Sequence, residues 1–551
     1  MLESSSHYLN LQPFTMDFPR ANIHELLSPD LLHQIIKGTF KDHLVTWVVD
    51  WMETQPNSKD IITEMDRRCV KFYLIYFYFI LCISFRISAA PVFSGLRRFP
   101  EGRGFKQWTG NDSKALMKVF LPSIAGLVPP GMVRAVSAFM EFCSLVRRSQ
   151  INETVLLKID AAVETFHRER LIFVEEGIRE DFNLPRQHSL VHYRSNIQMF
   201  GAPNGLCSSI TESKHIKAVK EPWRRSNRNN PLGQMLLTNQ RLDKLAALRV
   251  ELDSNGMLIS ADGNPQPQYT RPPLPKPNPG EPQNLDILDM PEDVDEEAEE
   301  GFTSEGDVRL PRRPGVFYKY SEYIIINFLQ AVGYPKTLAL LSQHLSVPHL
   351  DSYIRRFLFD QLNPDSDIFG MEVNINECPQ ILPTLRLNVF HSAAAIYHAP
   401  SDLSGIGGMH REYIRAAPTW RGHFPRHDCV FVEREPNEEG FRALGVAQVH
   451  FFFSFEFNNI LYPCALVRWF ETYGNSPCPD TGMWMVKPDT EMGQRICSVI
   501  HIDSILRAAH LIGVYGKKTL PEGFKHYHSL TAFKLYYVNK YADHHAHEIA
   551  F

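Results

Sequence analysis

The chain has 551 residues, of which 44% are hydrophobic, 22% charged and 11% aromatic, and its formal net charge is −5. This composition supplies enough apolar side chains for folded cores, so it excludes a wholly disordered, collagen-like or fibrous protein. Nine cysteines without a CxxC pair also argue against a disulfide scaffold or a cysteine zinc finger, and they favour a reducing intracellular compartment.

The N-terminal part is predicted to be mainly helical. Apolar side chains recur at helical spacing over four segments: 23–52, 112–127, 131–150 and 153–177. Pro29 and Asp30 mark the start of the first helix, where the Asp30 carboxylate would accept backbone N–H groups as an N-cap. Spacing alone favours this N-cap over a functional role for Asp30 and for His33, one turn later.

One apolar segment, Phe72–Phe85, does not fit the helices around it. As a helix it would reach about 21 Å at ~1.5 Å per residue, short of the ~30 Å hydrocarbon core of a bilayer. Snorkelling by Lys71 and Arg86 could extend it, and its β-branched and aromatic side chains also suit a buried strand. We expect a translated intron or a poorly packed insert rather than a membrane anchor.

His188 and His192 are four residues apart, so on a helix they would share one face. Such a pair could bind a metal ion, or it could form a hydrogen-bonded pair in a core or groove. No neighbouring Glu completes an HExxH zinc motif.

Cations are concentrated in residues 214–249, which hold nine Lys or Arg and two acids. This pattern predicts contacts with nucleic-acid phosphates, to which an aromatic side chain could add stacking. The predicted nucleic-acid-binding residues are Lys214, Lys217, Lys220, Trp223, Arg224, Arg225 and Arg228. Glu212, just before them, is either an ion-pair partner or a ligand of a catalytic cation beside bound phosphate.

Residues 255–312 are predicted to be a disordered linker, because their composition cannot supply a core. Nine prolines lie within 265–291, and twelve acids without a Lys or Arg lie within 281–307. The linker would separate a domain of residues 1–254 from a C-terminal domain of residues 313–551.

The C-terminal domain is predicted to be a small β-barrel with flanking helices. Its strand signals are four segments: 445–457, 460–470, 482–488 and 496–503. Asn458 and Asn459 suit a hairpin turn between the first two strands, and a final helix is expected over 529–549. Histidines 544, 545 and 547 could bind a metal ion, although a frayed helix end is the preferred interpretation.

Several long blocks resemble Plavaka transposases, which belong to the CACTA-like DNA transposons of fungi. They include PFTMDFPRANIHELLSPDLLHQIIKGTFKDHLVTWV, LPRQHSLVHY, GAPNGLCSSITESKHIKAVKEPWRRSNRNNPLG, APSDLSGIGGMHREYIRA and VNKYADHHAHEIA. The resemblance covers nearly the whole chain except residues 69–88.

The resemblance implies an α+β multidomain fold in which residues 1–254 form a ribonuclease-H-like transposase core with a helical insertion. It also implies metal-dependent DNA strand cleavage and transfer, in which acidic residues hold two Mg²⁺ or Mn²⁺ ions. The family's second acid, in an Asp-x-x-His motif, matches Asp30 and His33, and its third acid matches Glu212. Its His-x-x-x-His motif matches His188 and His192. Asp30 and Glu212 are thus the predicted catalytic residues, and all five are predicted metal ligands.

This chain departs from the family pattern before Asp30. Only 29 residues precede it, fewer than the strands and helix that carry the family's first acid would need. The resemblance therefore predicts a truncated, inactive transposase that is located in the nucleus. Its predicted partner is DNA and not a membrane, and self-association is left open. Two alternatives are a non-catalytic DNA- or chromatin-binding protein and, if Phe72–Phe85 is a true span, a membrane-anchored protein.

Overall fold

The computed structural model describes most of the chain outside the acidic, proline-rich region. The described residues are 17–18, 28–66, 87–99, 108–208, 214–254, 323–326 and 331–550, the last with gaps at 332, 367, 403–407, 421–423, 436–437, 518 and 522–523. Two compact units are formed: unit 1 combines residues 1–205 with residues 300–551, and unit 2 is residues 206–299. The predicted linker over 255–312 and the apolar segment Phe72–Phe85 lie outside the described residues.

The first helix described in unit 1 is a wide helix of π type, Leu31–Val45, which continues as α1 (Thr46–Thr54) and is followed by α2 (Ser58–Asp66). The helix starts where the sequence predicts, because the Asp30 carboxylate accepts the backbone N–H of Leu32 at 3.1 Å. Its apolar face is fully buried and includes Phe40, whose ring packs edge-on against Phe120 at 5.7 Å. The predicted N-cap role of Asp30 is confirmed.

Six further α-helices are described in the N-terminal part of unit 1. They are α3 (Gly110–Ile124), α4 (Pro130–Val146), α5 (Glu153–Glu169), α6 (Ile172–Glu175), α7 (Pro185–His188) and α8 (Tyr193–Phe200), with a 3₁₀ turn at Ser189–His192. Local sequence sets their starts: Thr109 and Asp112 form a capping box before α3, and Asn152 caps α5. Helix α4 is buried along almost its whole length, so it is the core helix of this group.

The described part of unit 2 is helical. A short π turn, Ile216–Lys220, leads into α9 (Glu221–Arg225), and α10 (Pro231–Ser254) follows after a loop. The Asn239 side-chain amide of α10 donates to the Ala218 carbonyl at 2.7 Å, which ties the two segments together.

The rest of unit 1 contains fifteen described strands and four described helices. The helices are α11 (Leu338–His344), α12 (Leu350–Leu362), α13 (Ser529–Ala532) and α14 (His544–Ile549). The strands are β1 (Tyr323–Ile326), β2 (Leu387–Phe390), β3 (Ser392–His398), β4 (Met409–Trp420), β5 (Phe424–His427), β6 (Cys429–Glu433), β7 (Leu444–Phe457), β8 (Ile460–Thr472), β9 (Met485–Pro488), β10 (Thr490–Glu491), β11 (Gln494–Arg495), β12 (Cys497–His501), β13 (Ile505–Ala509), β14 (Leu511–Gly513) and β15 (Tyr536–Val538).

Nine of these strands form a nearly closed antiparallel barrel. Seven pair in the order β13–β6–β7–β8–β9–β15–β14, while β2 pairs with β7 and β12 pairs with β8. A second sheet has the order β1–β3–β4–β5. The β7–β8 hairpin turns at Asn458 and Asn459, whose φ angles of +52° and +60° fit a tight hairpin turn. The predicted mixture of helices with a C-terminal barrel is confirmed.

Strand β7 is buried on both faces, which explains its high content of apolar residues. Val449 and Phe452 belong to the barrel core. Phe451, Phe453 and Phe455 pack instead with α11 and α12, where the Phe357 ring meets Phe455 at 6.3 Å.

The end of the chain differs from the expected single helix over 529–549. Tyr536–Val538 is a barrel strand, β15, with α13 before it and α14 after it. The aromatic and β-branched residues of this strand are fully buried between β9 and β14, so tertiary pairing overrides the helical pattern. Among the described helices, none combines the length and apolar character needed to cross a bilayer.

Candidate nucleic-acid and metal-binding residues

Asp30 and His33 form a hydrogen-bonded pair at the start of the π-type helix. The His33 ring nitrogen Nδ1 lies 2.6 Å from Asp30 Oδ2, while Asp30 Oδ1 accepts the backbone N–H of Leu32. The Asp30 side chain is 27% exposed and that of His33 51% exposed. Both carboxylate oxygens of Asp30 therefore already serve contacts within this turn.

The structure brings this turn next to the segment that carries the two predicted histidines. Gln34 Oε1 accepts the hydroxyl of Tyr193 at 3.0 Å and the backbone N–H of Asp30 at 3.3 Å. Tyr193 is fully buried and directly follows His192. The two sequence motifs, far apart along the chain, thus meet through one buried tyrosine.

His188 and His192 contact each other, as their spacing predicts. Their rings are perpendicular with centroids 5.0 Å apart, and the two Nε2 atoms lie 3.3 Å apart. Both side chains are exposed. The two rings are thus within hydrogen-bonding distance, with one ring N–H donating to the other ring.

The described residues of the predicted metal site supply one carboxylate and three imidazoles. Mg²⁺ prefers oxygen ligands, so these residues do not by themselves fit a magnesium site. The described part of the chain also contains no group of three or more His, Cys, Asp or Glu side chains placed to share a metal ion. Glu212 lies outside the described residues, so its role and its distance from Asp30 stay predictions.

The predicted nucleic-acid-binding residues are all in unit 2, and all are exposed. Lys214, Lys217 and Lys220 lie on or beside the π turn, and Arg224 and Arg225 end α9. Trp223 between them is 42% exposed. We call residues 214–228 the basic segment.

The loop after α9 forms the C-terminal end of the basic segment and has a defined conformation. Arg228 has a φ angle of +61°, and Gln234 of α10 donates to the Asn227 side chain at 2.6 Å. The last cation of the segment is therefore held by a hydrogen-bonded turn rather than by a continuing helix.

The interpretation of the C-terminal histidines as a frayed helix end is wrong. His544, His545 and His547 are all buried in unit 1. Asp543 caps their helix by accepting the N–H of Ala546 at 2.7 Å. Their burial follows from contacts with distant parts of unit 1, which no local pattern reveals.

Arg507 is the centre of this buried region, and its side chain is fully buried. Its guanidinium donates to both carboxylate oxygens of Asp543, at 2.6 and 2.8 Å, and to Glu412 at 3.0 Å. It also stacks 4.6 Å above the Tyr397 ring. Burial alone would raise the pKa of Asp543, but the Arg507 charge outweighs it and holds that pKa well below its usual range.

A second buried ion pair joins the C-terminal segment to α4. Lys540 Nζ lies 3.0 Å from Glu141, which also accepts from His547 Nε2 at 3.1 Å. Burial opposes the charge of Glu141, but its bonds to His547 and Lys540 lower its pKa to about 2. We call Lys540, Glu141, His547, Arg507, Asp543 and Glu412 the C-terminal network.

The comparisons with known proteins give one family match. A family model described as Plavaka transposase matches residues 6–48, the segment that contains Asp30, His33 and the whole π-type helix. This match supports a relation to transposases. No curated protein and no solved structure matches the chain.

Proposed function

We propose that this chain is a transposase-like protein that binds DNA through the basic segment of unit 2. The observation that carries the proposal is the exposure of all six of its cations: Lys214, Lys217, Lys220, Arg224, Arg225 and Arg228. Transposase-related proteins act on DNA, and the family match over residues 6–48 supports that class of partner.

The basic segment has the charge that phosphate binding requires. Its six cations are accompanied by one acid, Glu221, so the segment is strongly positive within a chain of net negative charge. Lys and Arg side chains that neutralise phosphates release condensed counterions, and this makes binding favourable and dependent on salt. We therefore expect affinity for DNA of any sequence.

Trp223 adds a second kind of contact to this surface. Its ring is 42% exposed between Lys220 and Arg224. An exposed aromatic ring among cations can stack on an unpaired base, a contact worth about 1–3 kcal/mol. We propose that Trp223 strengthens binding where the DNA is distorted or frayed.

The test is DNA binding by the full chain with and without part of the basic segment. Replacing Lys217, Arg224 and Arg225 with Ser should weaken duplex binding at low salt at least tenfold. It should also reduce the slope of log affinity against log salt by about three, because each lost phosphate contact removes about one. Fluorescence anisotropy with a labelled duplex measures both quantities.

The matched control replaces three exposed cations of unit 1, Lys158, Arg168 and Arg442, with Ser. This variant has the same net charge as the test variant, so it should keep wild-type affinity within about threefold if the site is local. Equal weakening by the two triple variants would show that net charge alone drives binding, and it would refute the proposal.

We further propose that the chain does not cleave DNA by itself. This is supported by the contacts of Asp30, whose carboxylate both caps a helix and binds His33. In this proposal, the chain retains remnants of an ancestral ribonuclease-H-like core. The ancestral site bound Mg²⁺ or Mn²⁺ through the residues at positions Asp30, Glu212, His33, His188 and His192. Nicking of supercoiled DNA that requires Mn²⁺ and disappears in Glu212→Gln would contradict the absence of cleavage.

A DNA-binding role also predicts a nuclear location. A fluorescent fusion of the full chain should overlap a DNA stain. The triple variant Lys217→Ser, Arg224→Ser and Arg225→Ser should overlap it less, because weaker phosphate binding lowers retention on chromatin.

A further inference from the structure

A row of alternating arginine and aromatic side chains lies on one face of the sheet β1–β3–β4–β5. Arg411, Tyr413 and Arg415 are every second residue of β4, so they lie on the same face. Glu412 and Ile414 between them are buried on the opposite face. Arg411 is exposed, while Tyr413 and Arg415 are half-buried.

The row is held together by consecutive cation–π contacts. The Tyr413 ring lies 5.4 Å from the Arg411 guanidinium and 4.6 Å from that of Arg415. The Trp420 ring lies 4.7 Å from Arg415 and 5.1 Å from Arg426. Distances below about 6 Å are attractive, so the side chains are ordered before any ligand arrives. We call Arg411, Tyr413, Arg415, Trp420 and Arg426 the arginine–aromatic strip, of which Arg426 is buried.

Two further aromatic residues extend the strip beyond β4. Phe424 of β5 pairs with Trp420 across the sheet, and its ring stacks on Tyr527 with centroids 5.4 Å apart and planes 12° apart. Tyr527 is 39% exposed. Next to it, His526 receives a hydrogen bond from Arg98 at 2.9 Å. Tyr527 therefore extends the exposed part of the surface, while the buried His526 anchors it through Arg98.

The strip carries positive charge at Arg411 and Arg415, because the two acids of these strands are bound to other arginines. The described residues from Met409 to Asp428 include three arginines, Arg411, Arg415 and Arg426, and two acids, Glu412 and Asp428. Glu412 is bound to Arg507 on the buried face, and Asp428 forms a two-point ion pair with Arg426 at 2.9 and 3.2 Å. An anionic ligand thus meets little opposing charge from these strands.

We propose that the arginine–aromatic strip binds single-stranded nucleic acid. Arg411 and Arg415 would neutralise the phosphates of the bound strand, and the partly exposed rings of the strip would stack on its bases. Unpaired bases are required, because a duplex keeps its base faces inside the helix and presents only groove edges and phosphates. The strip belongs to unit 1, so this activity does not depend on the basic segment of unit 2.

The experiment uses the full chain carrying Lys217→Ser, Arg224→Ser and Arg225→Ser, so that binding by the basic segment is reduced. In this background, Arg411→Ser with Tyr527→Ser removes the most exposed cation and ring of the extended strip. Affinity for a labelled oligothymidylate of about 20 nucleotides should fall at least tenfold, while affinity for a duplex of equal length changes less than about threefold.

The matched control is Arg442→Ser with Tyr473→Ser in the same background. These residues are an exposed arginine and an exposed tyrosine elsewhere in unit 1. The control should change oligothymidylate affinity by less than about twofold. An equal loss in strip and control variants, or an equal loss for duplex, overturns the proposal.

A second measurement keeps the proposal testable if the double variant folds poorly. Photo-crosslinking of the unaltered chain to an iodouracil-substituted single strand should give adducts on Tyr413, Trp420 or Tyr527. Polyglutamate should compete poorly, because it supplies charge without stackable bases. Adducts confined to other parts of the chain, or competition by polyglutamate equal to that by oligothymidylate, would show that the strip is not a single-strand site.

Discussion

The C-terminal network and the basic segment both concentrate charged residues, yet one is buried and the other faces solvent. In the network, each cation is paired with carboxylates from a different part of unit 1, as Arg507 is with Glu412 and Asp543. In the basic segment six cations share one acidic neighbour, Glu221. The comparison shows that charge density in a sequence does not report exposure: complementary partners allow burial, and a segment with few acids keeps its cations in water.

The two regions should also differ in how much stability is lost when one charged side chain is removed. Removing one partner of a buried pair leaves the other desolvated and unpaired, which destabilises a protein by about 3–5 kcal/mol. Removing an exposed charge changes stability little but alters any long-range attraction for an anion. The following predictions test this contrast, from the largest effect to the smallest.

Arg507→Met should have the largest effect, a loss of about 3–5 kcal/mol in the free energy of unfolding. The variant leaves Asp543 and Glu412 buried without their guanidinium. Equilibrium denaturation of the full chain measures the change, with exposed Arg442→Met as the control. A loss below about 1 kcal/mol would show that the network is not buried as described.

Glu141→Gln should destabilise the chain by about 2–3 kcal/mol, because Lys540 and His547 lose their anionic partner. The effect is smaller than for Arg507 since Glu141 is 22% exposed and water can enter. Lys540→Met should restore part of the loss in the Glu141→Gln background. Strictly additive effects of the two substitutions would contradict a direct ion pair.

Lowering the pH should reduce the folding stability of the buried C-terminal region before it changes the charge of the basic segment. Burial lowers the pKa of His510 to about 4, below the ~6.5 of an exposed histidine. The unfolded chain therefore binds a proton that the folded chain does not, and stability falls as pH decreases from about 6.5 towards 4. His510 alone should contribute a loss of about 2 kcal/mol at pH 5.

Thermal unfolding between pH 5 and 7 measures this dependence, with His510→Gln as the comparison. The substitution keeps a polar side chain beside the Pro91 carbonyl, which His510 Nε2 contacts at 3.2 Å. The stability of this variant should depend less on pH than that of the unaltered chain. An unchanged pH profile would mean that His510 is not held in its neutral form.

Arg225→Ser should have the smallest effect on stability, within about 0.5 kcal/mol, because the side chain is exposed at the end of α9. Its effect should appear in binding, as a reduction of the salt slope by about one. A large change in melting temperature with an unchanged salt slope would show that Arg225 stabilises the fold and does not bind phosphate.

Local patterns predicted much of the secondary structure. The Pro29–Asp30 start of the first helix and the Asn458–Asn459 hairpin turn both follow from the chemistry of a few neighbouring residues. The same holds for the contact of His188 with His192, whose spacing of four places both rings on one side of a helical turn. Such features need no information from distant parts of the chain.

Long-range packing decided what local patterns could not. The residues of β15 suit a helix or a strand, and only the edges of β9 and β14 select the strand. His544 and His545 look like a polar tail, yet the Asp402 carboxylate accepts both of their backbone N–H groups at 3.0 Å in a buried site.

By itself, the sequence determined where the long helices of the N-terminal part begin, that strands follow in the C-terminal part, and that one segment carries a surplus of cations. Periodicity, caps and net charge are properties of neighbouring residues, so they can be read without coordinates. Only the tertiary structure decided which charges are buried and that arginines and aromatic rings alternate on one sheet face. The physical reason is that the free energy of a charged group depends on its surroundings, and in a folded chain those surroundings come from residues distant in sequence.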